Sequence, residues 1–154
     1  MAKYTSTKLF DGYSTVFRQW KAEDTHCRFL HGYAISFRVW FEGELDHRNW
    51  VWDFGGMKRS KTQINGMSPK DYFTWLLDHT TVIAMDDPHL ESFKQLSSEG
   101  LIQLRIIPAT GCEKFAEHLY TKINTFLKEE TEGRVKAVLV EVYEHEKNSA
   151  SYGQ

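Results

Sequence analysis

Apolar and polar positions alternate loosely through two aromatic, β-branched stretches, Tyr13 to Trp20 ("YSTVFRQW") and Tyr33 to Glu42 ("YAISFRVWFE"). Both patterns predict strands. Gly43, Asp46 and Asn49 supply turn chemistry before Val51–Phe54 ("VWDF"), so the second strand is expected to return through a hairpin into a third. Ser68 followed by Pro69, with Asp71 in the first turn, marks a helix start, and Tyr72, Trp75 and Leu76 then share one face. That helix is expected to stop near Asp78-His79. Asp87-Pro88 opens another helix by the same logic. Leu101 to Ile107 reads as a strand, Glu113 to Lys128 as an amphipathic helix, and Arg134 to Glu144 ("RVKAVLVEVYE") as a final strand. Strands adjacent in sequence with helices between the pairs predict an α+β protein. Its antiparallel sheet would carry helices on one face. With no repeat and no low-complexity tract, residues 1–154 read as a single domain.

Composition narrows the partners. A net charge of -2 supplies no basic field for nucleic acid, and no 18-residue apolar run is present to cross a membrane. The opening "MAKYTSTKLF" lacks the pattern of a secretory signal, so the cytoplasm is the expected location. Two cysteines, Cys27 and Cys112, are too few for a disulfide framework, and reduced thiols are expected.

Candidate chemistry begins in "CRFLHGY". Cys27 lies beside His26 and four residues before His31, where an imidazole favours thiolate; a buried small hydrophobe is the alternative reading. Asp78-His79 pairs a carboxylate with an imidazole, though neighbours on a helix do not face each other. Glu144 ends an apolar strand, where a carboxylate either meets water or presents two acceptors to a ligand amidine. His145, Glu146 and Asn148-Ser149 read as a solvated C-terminal turn. "DFGG" lacks every other element of a kinase site.

Taken in order, "YSTVFRQW", "CRFLHGY", "NWVWDFGGMK", "LLDHTTVI", "GCEKFAEHLYTKI" and "VEVYEHEKNSASYG" resemble the 6-pyruvoyl- and 6-carboxy-tetrahydropterin synthases, proteins of the tunnelling fold. The resemblance spans nearly the whole chain. It implies a four-stranded antiparallel sheet with helices on one face, assembling into an oligomeric β-barrel, commonly a homohexamer built as a dimer of trimers with sites between subunits. It implies catalytic roles for Cys27, as general base on the substrate side chain, and for Asp78 and His79, as a proton relay. Glu144 would anchor the pterin ring through its 2-amino and ring N–H groups, and Glu113 would help close the pocket.

The family binds Zn²⁺ through three imidazoles, and of these positions only His31 keeps one. Tyr33 stands at the second, and the first falls on Phe17, or on Gln19, Trp20 or Lys21, none of them a usual zinc ligand. The expectation is therefore a pterin-site lyase related to 6-carboxy-tetrahydropterin synthase. It would act on 7,8-dihydroneopterin triphosphate or a close pterin, in the queuosine and 7-deazaguanine pathway, at a degenerate zinc site. A zinc-independent pterin or purine enzyme and a non-catalytic pterin-binding oligomer are the alternatives.

Overall fold

A computed structural model describes residues 3–154. Its elements in chain order are β1 (Tyr4–Phe17), a 3₁₀ turn at His26–Arg28, β2 (His31–Gly43), α1 (Gly56–Arg59), α2 (Pro69–Leu77), β3 (Thr80–Ala84), α3 (Leu90–Ser98), β4 (Leu104–Ile107), α4 (Cys112–Glu130), β5 (Val135–His145) and β6 (Asn148–Gly153). The sheet order is β4-β3-β1-β2-β5-β6. β1, β2, β5 and β6 pair antiparallel, whereas β3 runs parallel to both β1 and β4.

The α+β class holds, but the sheet is six-stranded and mixed where four antiparallel strands were expected. Each additional strand has a physical reason for escaping the pattern. All five residues of β3 are buried, so it carries no apolar-polar alternation. β6 is a polar edge strand, and the Asn148-Ser149 segment read as a turn pairs with Tyr143 and His145 of β5.

Val51–Phe54 is not a strand. The Asp46 carboxylate accepts from the Arg48 and Trp50 amides and holds a turn there, after which Val51 and Trp52 pack into the core. Arg134 Nη1 donates to the carbonyls of Glu44 (2.6 Å) and Val51 (2.8 Å), supplying hydrogen bonds that a neighbouring strand would otherwise provide.

α2 starts as its sequence predicts, with the Ser68 hydroxyl accepting from the Asp71 amide and Pro69 in the first turn. α3 starts at Leu90, later than Asp87-Pro88 implied, because the Asp87 carboxylate is engaged by Arg18 and the His89 amide. α4 lays Phe115, Leu119, Ile123, Phe126 and Leu127 against the sheet, the spacing of one helical face. The matching sheet face carries Phe10, Phe17, Ile35, Phe37, Val39, Phe41, Val140 and Val142, all buried. Among the described residues, no helix is long and apolar enough to cross a membrane.

Candidate functional site

The adjoining ends of β1, β2, β5 and α4 bring together most of the residues singled out by the sequence. Phe17, the last residue of β1, is the register partner of His31, the first of β2, and Thr15 is the partner of Tyr33. Of the four residues Phe17, Gln19, Trp20 and Lys21, Phe17 is the one that stands across the β1-β2 ladder from His31. The Phe17 and Tyr33 rings stack with centroids 4.1 Å apart, and Tyr33 lies 4.3 Å from the His31 ring. His31 is exposed, with Nδ1 3.0 Å from the Phe29 carbonyl.

Burial pushes the Tyr33 phenol up to about 12, helped by the nearby Cys27, Glu144 and Cys112. The phenol therefore keeps its proton at neutral pH. One imidazole, one protonated phenol and one phenyl ring do not make the N/S donor set of a three-imidazole zinc centre. Among the described residues, no group of three or more His, Cys, Asp or Glu side chains is arranged to hold a metal.

Cys27 sits in the 3₁₀ turn, partly buried. The Thr25 hydroxyl accepts from its amide, and its carbonyl accepts from the Gln19 amide at 2.7 Å. Arg18 fixes the same turn, donating through Nη1 to the Arg28 carbonyl at 3.1 Å. Cys112, at the first turn of α4, is the second thiol of the region. Burial raises it to about 12, with Glu144 and Glu113 adding to the shift, so it is an unreactive packed group. Glu144 is half-buried, and its Oε1 accepts from Asn148 Nδ2 at 2.9 Å. Glu113 is exposed beside Cys112. The backbone just before α4 is held by Thr110 Oγ1 donating to the Arg18 carbonyl (2.6 Å) and by Gly111 at φ 111.

Asp78 and His79 lie elsewhere in the subunit. They follow α2, where His79 at φ 57 turns the backbone out of the helix. Adjacent side chains that could not meet on a helix meet here, with His79 Nδ1 3.1 Å from Asp78 Oδ1. The Ser14 amide donates to the same Oδ1 at 3.0 Å. The Ser14 bond first, and His79 next, hold the Asp78 carboxyl below its ordinary range against the effect of burial. The His79 side chain is exposed and lines a shallow cavity of about 390 Å³ with Ser14, Val16 and Gln103. Among the described residues, no hydrogen bond or ion pair joins it to Cys27 within one subunit.

Sequence reasoning gave Arg18 no role, read Asp87 only as a helix start and named Cys112 only as a second reduced thiol. The arginine directly after Phe17 and the thiol directly before Glu113 were the available signals.

An antiparallel β1-β2-β5 core with α4 across one face, and a thiol and a carboxylate at one end, defines an α+β protein of the pterin-synthase architecture. The sequence profile of the 6-pyruvoyl tetrahydropterin synthase family matches residues 10–154, and the chain belongs to that family. No curated protein matches it. Among solved structures, an uncharacterised protein of Wolinella succinogenes is similar over 99% of both chains, with 20% identity and a TM-score of 0.76. The 6-pyruvoyl tetrahydropterin synthase of Caenorhabditis elegans is similar over 100% of this chain and 97% of its own, at 19% identity and TM-score 0.62. That of Plasmodium vivax is similar over 98% of each chain, at 15% identity and TM-score 0.59.

Proposed function

We propose that the protein is a lyase acting on the side chain of a pterin, related to 6-carboxy-tetrahydropterin synthase, and that it works without zinc at the His31 position. The substrate is 7,8-dihydroneopterin triphosphate or a close pterin, on the route to 7-deazaguanine compounds. The observation that supports this reading is the meeting of Cys27, Tyr33 and Glu144 at one end of the sheet, where both the thiol and the carboxylate act on the phenol. A carboxylate can accept two charge-assisted hydrogen bonds from the 2-amino and ring N–H groups of a pterin. With Glu144 holding the ring and Glu113 beside it, Cys27 is the nearby base for a proton of the side chain. Tyr33, which keeps its proton, is a hydrogen-bond donor at neutral pH for a developing negative charge.

The relay pair enters from a second copy. Asp78 holds the His79 imidazole by its Nδ1, which leaves Nε2 outward on an exposed side chain. A homo-oligomer that seats this pair against the Cys27 end of a neighbour assembles acid, base and anchor in one place. A dimer of trimers is the arrangement we favour.

The experiment is a screen of purified protein, treated with chelator, against 7,8-dihydroneopterin triphosphate and related reduced and oxidised pterins, with products followed by mass spectrometry. Pterin side-chain cleavage that is lost in Cys27→Ala supports the lyase. Pterin binding without turnover would leave the binding oligomer in its place.

A further inference from the structure

A second cavity, of about 470 Å³, opens at the other end of the subunit between β1, α1 and the start of α2. Its lining includes Lys8, Lys58, Arg59 and Lys70 around Phe10 and Phe54, with Asp11 as the single acid among the lining residues. From Lys8 at one rim of the cavity to Phe17 the chain runs nine residues along β1, about 25–30 Å, and from Tyr13 at the other rim it runs four, about 13 Å.

Three features mark this group of cations as unusual in a chain of net charge -2. First, among the described residues no carboxylate lies within ion-pair distance of Lys8, Lys58 or Lys70, so three cations that line one cavity share no salt bridge. Arg59 has only a long contact to Asp53, at 3.7 Å. Second, the neighbouring Lys58 ammonium holds the Lys70 pKa below its ordinary value, and Lys8 adds to the effect while Asp71 opposes it. Third, Lys70 stands in the first turn of α2, at the positive end of the helix dipole, where a cation is disfavoured. The Lys8 ammonium lies 5.7 and 5.8 Å from the centroids of Phe10 and Phe54, so the rings position it without neutralising it.

Each arrangement sets a cation against like charge or the positive end of a helix, and an anion in the cavity would offset all of them together. Four cations spread around a cavity in the size range of small-molecule sites are more than one phosphate group can meet. We propose that this cavity is an oligophosphate-binding site, formed by Lys8, Lys58, Arg59 and Lys70 and separate from the pterin site. The chain of phosphates is inorganic or belongs to a nucleoside triphosphate. Phe54, only half-buried at the rim, offers a ring face to a base in the second case. The proposal does not depend on the pterin reading.

Titration calorimetry at low salt with inorganic tripolyphosphate, ATP and orthophosphate tests it. Tripolyphosphate should bind with an affinity that falls steeply as salt is added, and orthophosphate should bind much more weakly. Lys58→Gln with Lys70→Gln should weaken tripolyphosphate by roughly tenfold or more, while Lys61→Gln with Lys94→Gln changes nothing. ATP tighter than tripolyphosphate would assign the site to a nucleotide, and equal affinity to the phosphate chain alone. In the wild-type protein, tripolyphosphate should shield Lys58 and Lys70 from reductive methylation, as mapped by peptide mass spectrometry. No binding of tripolyphosphate, equal loss in the two double variants, or no protection of these lysines would overturn the site. Retained tripolyphosphate binding in Glu144→Gln separates this outcome from any failure at the pterin site.

Discussion

Arg18 and Asp87, far apart in sequence, form a two-pronged ion pair, Nε to Oδ2 at 2.8 Å and Nη2 to Oδ1 at 2.9 Å. The Asp87 side chain is 1% exposed, and burial alone would favour its neutral form. The bonds from Arg18 and the His89 amide outweigh that effect and hold the carboxyl below its ordinary range. Through a third N–H, on the Arg28 carbonyl, the same guanidinium ties the Cys27 turn to the end of β3.

Asp87→Ala should therefore destabilise the fold by about 3 kcal/mol, since it strands a partly buried guanidinium. Urea unfolding measures the loss. Arg18→Met should lower stability too and should also loosen the Cys27 turn, seen as faster amide exchange at residues 27–29. Unchanged exchange there would show that the pair does not set the turn.

Glu144→Gln should weaken pterin binding by about 1.5–3 kcal/mol while leaving the melting temperature nearly unchanged. The amide presents a donor where the ligand also has a donor. Equal affinity by calorimetry would reduce Glu144 to a solvated strand end.

The two thiols should separate cleanly in labelling. Cys112, buried and raised to about 12, should resist iodoacetamide at neutral pH, whereas Cys27 should label and be shielded by bound pterin. Cys27→Ala should abolish turnover with pterin affinity retained. An inert Cys27, unprotected by any pterin, would remove it from the mechanism.

Metal content gives a test in both directions. The wild-type protein should carry far less than one zinc per subunit by elemental analysis. Phe17→His combined with Tyr33→His places two imidazoles around His31, one opposite it across the β1-β2 ladder and one two residues on along β2. That variant should acquire close to one zinc, lost again on His31→Ala. Stoichiometric zinc in the wild type would contradict the zinc-independent reading.

His118 should give the protein an acid-sensitive stability. Its Nε2 lies 2.8 Å from the Tyr72 hydroxyl, and burial first, then the Lys122 charge, lowers the imidazole to about 4. The folded pKa lies below the unfolded value near 6.5, so the unfolded chain takes up the extra proton. Stability should be complete above about pH 6.5 and fall as pH drops toward about 4. His118→Gln keeps a polar partner for Tyr72 and should flatten this contribution in melting curves recorded across that range.

Most of the strands and helices carried their own signals. Tyr72, Leu76 and the Phe115–Leu127 face follow helical spacing, although Trp75, expected on the same face of α2, is exposed, and Ser68-Pro69 opens a helix by local bonding alone. What escaped depended on distant partners. β3 is a strand because β1 and β4 flank it, and Val51–Phe54 is not one because Arg134 takes up the Val51 carbonyl. At the site, "CRFLHGY" drew attention to Cys27, His31 and Tyr33. Only the strand register could show that Phe17, one of four candidates, is the residue facing His31. The Asp78-His79 contact arises from a left-handed backbone at a histidine, which no side-chain pattern records.

The place of β2 in the sheet also bears on the protein's synthesis. Its outer neighbour is β5, beginning with Gly43 against Val135, where a Cβ on Gly43 would come 2.6 Å from the Arg134 carbonyl. On the ribosome, the β1-β2 hairpin emerges with one edge of β2 bare and with Phe37, Val39 and Phe41 lacking the cover of α4. At about 5–20 residues per second, that edge waits roughly 5–20 s for its partner. The nascent chain therefore spends that interval as a sticky hairpin, and holdase chaperones, together with the pace of translation through α4, should govern how much of it reaches the native state.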